Sequence, residues 1–174
     1  MNRTRLTGFS LAALIFVADQ AVKAIVVGPL GIDSLGDVRE VTSFFDLRFV
    51  QNTGVSLGFL QATSDTARWL LVALTAAIAA GVAWWMVREK VRGDVLSLGL
   101  VLGGALGNIV DRARFGYVID YADLHFGEWR PFLIFNVADA AITIGVVILL
   151  VRALFVRDTP APAVTTVPVE NANA

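Results

Sequence analysis

The chain has 174 residues, of which 56% are hydrophobic and 17% are charged, and its net charge is -1. Soluble domains are about one quarter charged and less apolar, so this composition excludes a disordered chain and a nucleic-acid-binding protein, and it disfavours a soluble globule. The sequence contains no cysteine and one histidine, His125. Disulfides, cysteine nucleophiles and cysteine or multi-histidine metal sites are therefore excluded, and we expect neither a metal nor another cofactor.

Four apolar segments could cross a bilayer, which takes about 20 mostly apolar residues in a helix; the third is the weakest of them on length alone. They are Phe9–Val27, Trp69–Val87, Val95–Val110 and Leu133–Phe155. The third is the shortest and is rich in glycine, which is typical of a helix packed closely against its neighbours. The pattern predicts an all-α membrane protein with four transmembrane helices.

The positions of lysine and arginine predict the orientation of these helices. Basic residues are dense near both ends of the chain and in the short link that contains Arg88, Lys90 and Arg92. Such residues favour the cytoplasmic side, so we expect both termini in the cytoplasm and the long loops, about 28–68 and 111–132, outside. Asp19 and Lys23 interrupt the first apolar segment, which favours a retained helix over a cleaved signal peptide.

The first long loop contains two segments typical of β-strands, Val38–Val41 and Phe44–Gln51. They predict a small extracytoplasmic sheet on the membrane surface. The last residues, 158–174, are rich in proline, alanine and threonine and show no periodicity. We predict one domain over residues 1–157, followed by a disordered cytoplasmic tail.

Several polar residues lie in or beside apolar segments, where a charge costs about 2.5–3.5 kcal/mol. Asp19 and Lys23 are four residues apart on one helix face. A structural ion pair and a direct role toward a substrate both remain open for them. Asn52 and Gly54 follow a predicted strand, where they form either a turn or a holder for a peptide or an oxyanion.

The densest polar cluster follows the third apolar segment. Asn108, Asp111 and Arg112 come after three closely spaced glycines, and the last two are expected to form a local ion pair and capping network. Asp120 follows in a segment that returns toward the membrane. Asn136 and Asp139 share a helix face at the start of the fourth segment, where Asp139 acts either as a cap or as a reactive carboxylate.

Asp120 and Asp139 fall on the same side of the membrane in this topology. Two adjacent carboxylates cannot both ionise easily, so one keeps its proton while the other stays charged. Such a pair can share a water molecule as general base and general acid. This is the chemistry of aspartic proteases, and it needs no other nucleophile and no metal.

The polar segments together resemble the motif series of the lipoprotein signal peptidases (signal peptidase II). The resemblance rests on DQAVK at 19–23, NTGVS at 52–56, GGALGNIVDR at 103–112 with VID at 118–120, and FNVADAAIT at 135–143. These segments occur in the order and at the spacing of that family, and the similarity extends over about residues 9–155.

The resemblance implies a multi-pass aspartyl endopeptidase of the bacterial cytoplasmic (inner) membrane, with its active site near the outer face. Its substrate would be a prolipoprotein bearing a diacylglyceryl-modified cysteine, which it cuts on the amino side of that cysteine. Membrane lipid and globomycin-type inhibitors are the other implied partners. Asp120 and Asp139 would be catalytic, and the implied supporting residues are Asp19, Lys23, Asn52, Gly54, Asn108, Asp111, Arg112 and Asn136. A β-structured cradle (36–51) and a covering loop (113–130) are also implied.

Two other classes of protein remain as alternatives. A proton-coupled transporter would also carry intramembrane carboxylates, but it would place them across the midplane, and inverted repeats are not evident in the sequence. A noncatalytic assembly subunit would not need two aspartates close together.

Overall fold

The computed structural model describes residues 3–54 and 65–155. The four helices of this part are α1 (Arg3–Val27), α2 (Asp65–Arg88), α3 (Arg92–Phe115) and α4 (Val137–Phe155), each long and apolar enough to cross a membrane. The prediction of four spanning helices is confirmed. The predicted tail (158–174), together with Val55 and Ser56 of the second polar segment, lies outside the described residues.

The ends of the helices differ from the sequence-based bounds. α3 ends at Phe115, five residues beyond the expected Val110, where Gly116 adopts a φ of 87° and its amide donates to Arg112 O. Glycine accepts this left-handed conformation without steric cost. Asp111 and Arg112 are therefore helical, and the second long loop begins at residue 116 rather than at residue 111. α4 begins at Val137 instead of Leu133.

Glycines let α3 pack directly against the backbones of α1 and α4. A Cβ on Gly103 would lie against Ala12 O of α1, and one on Gly104 would overlap Ala138 O of α4. Among the four spanning helices, α3 is also the most buried, since 50% of its most apolar 18-residue stretch is buried. The shortest predicted segment is thus the central helix, because small residues replace apolar bulk where helices approach closely.

The three strands form one antiparallel sheet in the order β1 (Val38–Thr42), β2 (Phe45–Asn52) and β3 (Val118–Leu124). The first two agree with the predicted strands to within one residue at each end. β3 was expected only as a segment returning to the membrane, and it instead pairs with β2 along its length. Its pairing places Asn52 opposite Val118 and Val50 opposite Asp120.

We expect Gly104→Ala to destabilise the bundle, because the added methyl group overlaps Ala138 O and forces α3 and α4 apart. Overpacking of this kind costs about 1–3 kcal/mol and would lower the Tm in detergent. Gly81→Ala is the matched control, since a Cβ there meets no atom within 4 Å. An unchanged Tm for Gly104→Ala would contradict the close α3–α4 approach.

Candidate active site

Three acidic residues of α1, α3 and α4 lie at the end of the bundle that carries the sheet; two of them are buried, and Asp139 is half-buried. Asp19 lies in the C-terminal half of α1, Asp111 near the C-terminal end of α3 and Asp139 in the first turn of α4. At the opposite end, Arg152 pairs with Asp94. These three acids thus lie at one end of the bundle, whereas the transporter alternative requires carboxylates across the midplane.

Asp120 of β3 and Asp139 of α4 line the same cleft, which has a volume of about 830 Å³. The cleft is bounded by the ends of β2 and β3, by the start of α4 and by the segment that joins β3 to α4. Its lining residues are Val50, Asn52, Asp120, Arg130, Pro131, Phe132, Leu133, Ile134, Phe135, Asp139, Ile142 and Thr143. The two aspartates that the sequence singled out therefore share a cavity.

Asn136 connects the two carboxylates. Its Nδ2 donates to Asp120 Oδ1 at 2.6 Å, while its Oδ1 accepts from the backbone amide of Asp139 at 2.9 Å. The amide of Asn136 in turn donates to Asp139 Oδ2 at 3.4 Å. This reciprocal pattern is a capping box at the start of α4. Asp139 is therefore both a cap residue and a wall of the cleft.

Two further asparagines contact the carboxylates from other elements. Asn52, the last residue of β2, donates from Nδ2 to Asp120 Oδ2 at 3.0 Å, and Asn108 of α3 donates to Asp139 Oδ1 at 2.8 Å. Asn52 Oδ1 also accepts from the amide of Gly54 at 3.2 Å, and Arg112 donates to Gly54 O at 2.8 Å. The turn after β2 is thus part of the site.

Lys23 is buried between two carboxylates and does not reach the cleft. Its Nζ lies 2.8 Å from Asp19 Oδ2 and 2.7 Å from Asp111 Oδ2, and the exposed fractions of the three side chains are 3%, 0% and 1%. This confirms the Asp19–Lys23 pair. The predicted local pairing of Asp111 with Arg112 is wrong: Asp111 accepts from Lys23 across the helix interface, and Arg112 donates to Gly54 O.

The remaining bonds of this network link it to the site. Asp19 Oδ1 accepts from the amide of Ala138 at 3.0 Å, so a negative charge from α1 lies at the N-terminus of α4, where it is favourable. Asp111 Oδ2 accepts from the amide of Ile119 at 3.2 Å, which fixes β3 next to Asp120. The Lys23 network therefore positions both elements that carry the cleft aspartates.

The environment of Asp120 favours its protonated form. Burial and, second, the nearby charge of Asp139 raise the pKa of Asp120 to about 7, although the bonds from Asn52 and Asn136 act in the opposite direction. A carboxyl with a pKa near 7 can hold a proton at neutral pH and release it during a reaction. The pair can therefore offer one proton donor and one proton acceptor to a water molecule between them.

Three residues that support the site, Gln20, Arg68 and Arg130, were not among the predicted site residues. Gln20 donates to Asp111 Oδ1 at 2.8 Å, and Arg68 of α2 donates to the carbonyls of Arg112 and Ala113, at 2.8 and 2.6 Å, at the end of α3. Arg130 lines the cleft and bonds to Asp123. Gln20 had a sequence signal, as a polar residue in an apolar segment, whereas the two arginines resemble ordinary loop charges.

Comparison with known proteins identifies the family of the chain. The family model described as signal peptidase (SPase) II matches residues 11–155. A lipoprotein signal peptidase of Rhizorhabdus wittichii is 60% identical over 90% of both chains, and one of Sphingopyxis alaskensis is 56% identical over 87% of both.

Solved structures show the same fold. A bacterial membrane enzyme determined by the in meso method at 1.9 Å resolution is 27% identical, with a TM-score of 0.73 over 87% of this chain and 94% of that one. A second structure of a bacterial membrane enzyme, at 2.3 Å resolution, is 26% identical with the same TM-score, over 85% of this chain and 87% of that one. The matched residues include all four spanning helices except the start of α1. The chain therefore belongs to the signal peptidase (SPase) II family and is a multi-pass membrane protein of that family.

Proposed function

We propose that this chain is an aspartyl endopeptidase that removes signal peptides from diacylglyceryl-modified prolipoproteins, cutting on the amino side of the lipidated cysteine. The observation that carries the proposal is the placement of Asp120 and Asp139 in one cleft, with Asn136 bonded to both. The names of the curated relatives support the substrate class.

The reaction uses one water molecule and the two carboxyl groups. The ionised Asp139 removes a proton from the water, whose oxygen attacks the scissile carbonyl carbon. The protonated Asp120 donates a hydrogen bond to the developing oxyanion. As the C–N bond breaks, the proton that Asp139 took from the water passes to the leaving amine, and both carboxyls return to their starting protonation states. The raised pKa of Asp120 supports this division of roles. Asn108 stabilises the charged Asp139 through its bond to Oδ1.

The position of the cleft matches a substrate held by the bilayer. The cleft lies where β3 and the first two turns of α4 meet, at one end of the spanning bundle. A precursor would enter sideways from the membrane, with its signal segment against the helices and its lipid fixing the cysteine at that depth. The basic residues near both ends of the chain support cytoplasmic termini and a cleft on the outer face. Globomycin-type peptides would inhibit by occupying the same cleft.

The test is cleavage of a purified precursor by the full chain in a bilayer, with the products identified by mass spectrometry. We expect cleavage of the diacylglyceryl-modified precursor, with the lipidated cysteine as the new N-terminus. The matched control is the same precursor without the lipid, for which we expect a much lower kcat/KM. Equal cleavage of the two precursors, or a cut elsewhere, would contradict the proposed substrate and position.

The roles of the carboxyls also predict the pH dependence. A group that acts in its protonated form loses activity as the pH rises through its pKa, so kcat/KM should fall above pH 7, where the pKa of Asp120 lies at about 7. Asn52→Leu removes a hydrogen bond that lowers the pKa of Asp120. The alkaline limb should therefore move to higher pH in that variant. A limb that stays in place would show that Asp120 is not the titrating acid.

A further inference from the structure

Arg130 is a charged residue of the cleft that the proposed reaction does not use. Of the described residues that line the cleft, it is the one with a basic side chain. Its Nε donates to both oxygens of Asp123, each at 3.2 Å, and its side chain is 42% exposed. The two terminal amino groups of its guanidinium have no protein acceptor among the described residues and are free to donate to a ligand.

Asp123 holds this guanidinium in place, and its carboxylate is itself held by its surroundings. Its side chain is completely buried, and Arg48 Nε lies 3.3 Å from Oδ2 on its other side. A buried carboxylate needs such compensation from paired, hydrogen-bonded partners. The anchor also has a fixed position relative to the reaction, because Asp123 and Asp120 both belong to β3.

The backbone around Arg130 is equally constrained. Phe126 and Trp129 exchange backbone hydrogen bonds across a tight turn, in which Gly127 has a φ of 64°. Pro131 follows directly and restricts Arg130 to an extended conformation. Arg130 is therefore held at the rim of the cleft by its backbone and by its side chain.

The distance along β3 indicates which part of a substrate meets Arg130. Asp123 is three residues beyond Asp120, which is about 10 Å along a strand. The cleft is also lined by Ile142 and Thr143 of α4, a spanning helix, which suits the apolar signal segment. An extended peptide with its scissile bond at Asp120 would thus place about the third residue of its mature part near Arg130.

We propose that Arg130 is a specificity-determining residue that binds oxygen atoms of the substrate's mature segment and favours an acidic side chain near its third position. Asp123 is the positioning residue that holds the guanidinium there. This inference rests on the proposed function, since it requires a peptide that crosses the cleft. Planar guanidinium groups bind carboxylates through two parallel hydrogen bonds, which a lysine cannot reproduce.

The experiment compares two lipidated precursors that differ only by Asp or Asn at the third mature position. For the wild type we expect kcat/KM to be about fivefold higher for the Asp precursor, the upper end for a half-exposed charge pair. Arg130→Gln should bring this ratio close to one, and Arg130→Lys should leave an intermediate ratio. Arg39→Gln, at an exposed arginine of β1, is the matched control and should keep the wild-type ratio.

The role of Asp123 is tested through the same ratio. Asp123→Asn should lower the ratio, and adding it to Arg130→Gln should lower it no further, because both act through one guanidinium. A fold defect alone would reduce cleavage of both precursors and leave their ratio unchanged.

Two results would overturn the inference: a wild-type ratio of one, or a ratio that survives Arg130→Gln. A wild-type ratio of one together with an Arg130-dependent response to anionic lipid would assign the side chain to a lipid headgroup instead. The Asp139→Asn variant distinguishes failure of this inference from failure of the proposed function. Full cleavage of both precursors by that variant would mean that the proposed function itself has failed.

Discussion

Replacing either cleft aspartate by asparagine should abolish cleavage of a lipidated precursor. We expect Asp139→Asn and Asp120→Asn each to lower kcat/KM by at least about 10³-fold, because general acid–base groups contribute about 10²–10⁴-fold and each carboxyl also orients the shared water. Asparagine keeps the size of the side chain, but its amide can neither take a proton from water nor supply the acidic hydrogen that the carboxyl offers to the oxyanion.

The matched control for these substitutions is Asp33→Asn, at an exposed aspartate in the loop between α1 and β1. This variant should cleave the lipidated precursor with the kcat/KM of the wild type and should have the wild-type Tm. Each cleft variant should also keep a cooperative unfolding transition, so that the loss is assigned to chemistry. Substantial processing by a folded Asp139→Asn protein would remove this residue from the reaction.

The second large effect is on stability. Lys23→Met should destabilise the bundle by about 3–5 kcal/mol, because it leaves Asp19 and Asp111 buried without a counter-charge. Methionine fills a similar volume, so the lost charge is the main change. The measurement is thermal unfolding in detergent, and Lys90→Met, at the exposed other lysine of the chain, should leave the Tm unchanged.

The physical cause of that loss can be checked by neutralising the partners. Adding Asp19→Asn and Asp111→Asn to Lys23→Met removes the uncompensated charges and should recover part of the Tm, since replacing a whole buried ionic group is far less costly than breaking it. A Tm of Lys23→Met equal to that of the wild type would contradict a structural role for this triad.

The spanning helices and the first two strands could be predicted because each follows from a local pattern. A run of about 20 apolar residues defines a span wherever it lies, and alternation of β-formers defines β2. α3 is the informative exception. Its glycines lower the apparent length of the apolar segment, yet they let it become the central helix, in contact with α1 and α4.

The pairing within the site depended on contacts that the local sequence does not contain. Asp111 follows Lys23 by 88 positions, so pairing judged from neighbours in the sequence favours Arg112 as its partner. The packing of α1 on α3 instead brings Lys23 Nζ within 2.7 Å of Asp111 Oδ2. β3 was missed for a similar reason. Its buried face is defined by β2, by α1 and by Phe135, whose carbonyl accepts from the amides of Tyr121 and Ala122.

The candidate carboxylates were found because charged residues in apolar segments are costly and few. Asp120 and Asp139 carried that signal, and the structure places both in one cleft. Arg130 carried none, since it lies in a loop where arginine is common, and its relation to the cleft emerges only from the turn at Gly127 and the bond to Asp123.

We propose that Asp120 and Asp139 act as one catalytic unit, and the decisive experiment is a double-mutant cycle. Residues that act as a unit show strongly non-additive losses. We predict that Asp120→Asn/Asp139→Asn cleaves the lipidated precursor no more than about threefold more slowly than the slower single variant, in line with the non-additivity expected of coupled groups. Losses that multiply across the two sites would show that the carboxyls act independently and would contradict a shared catalytic role.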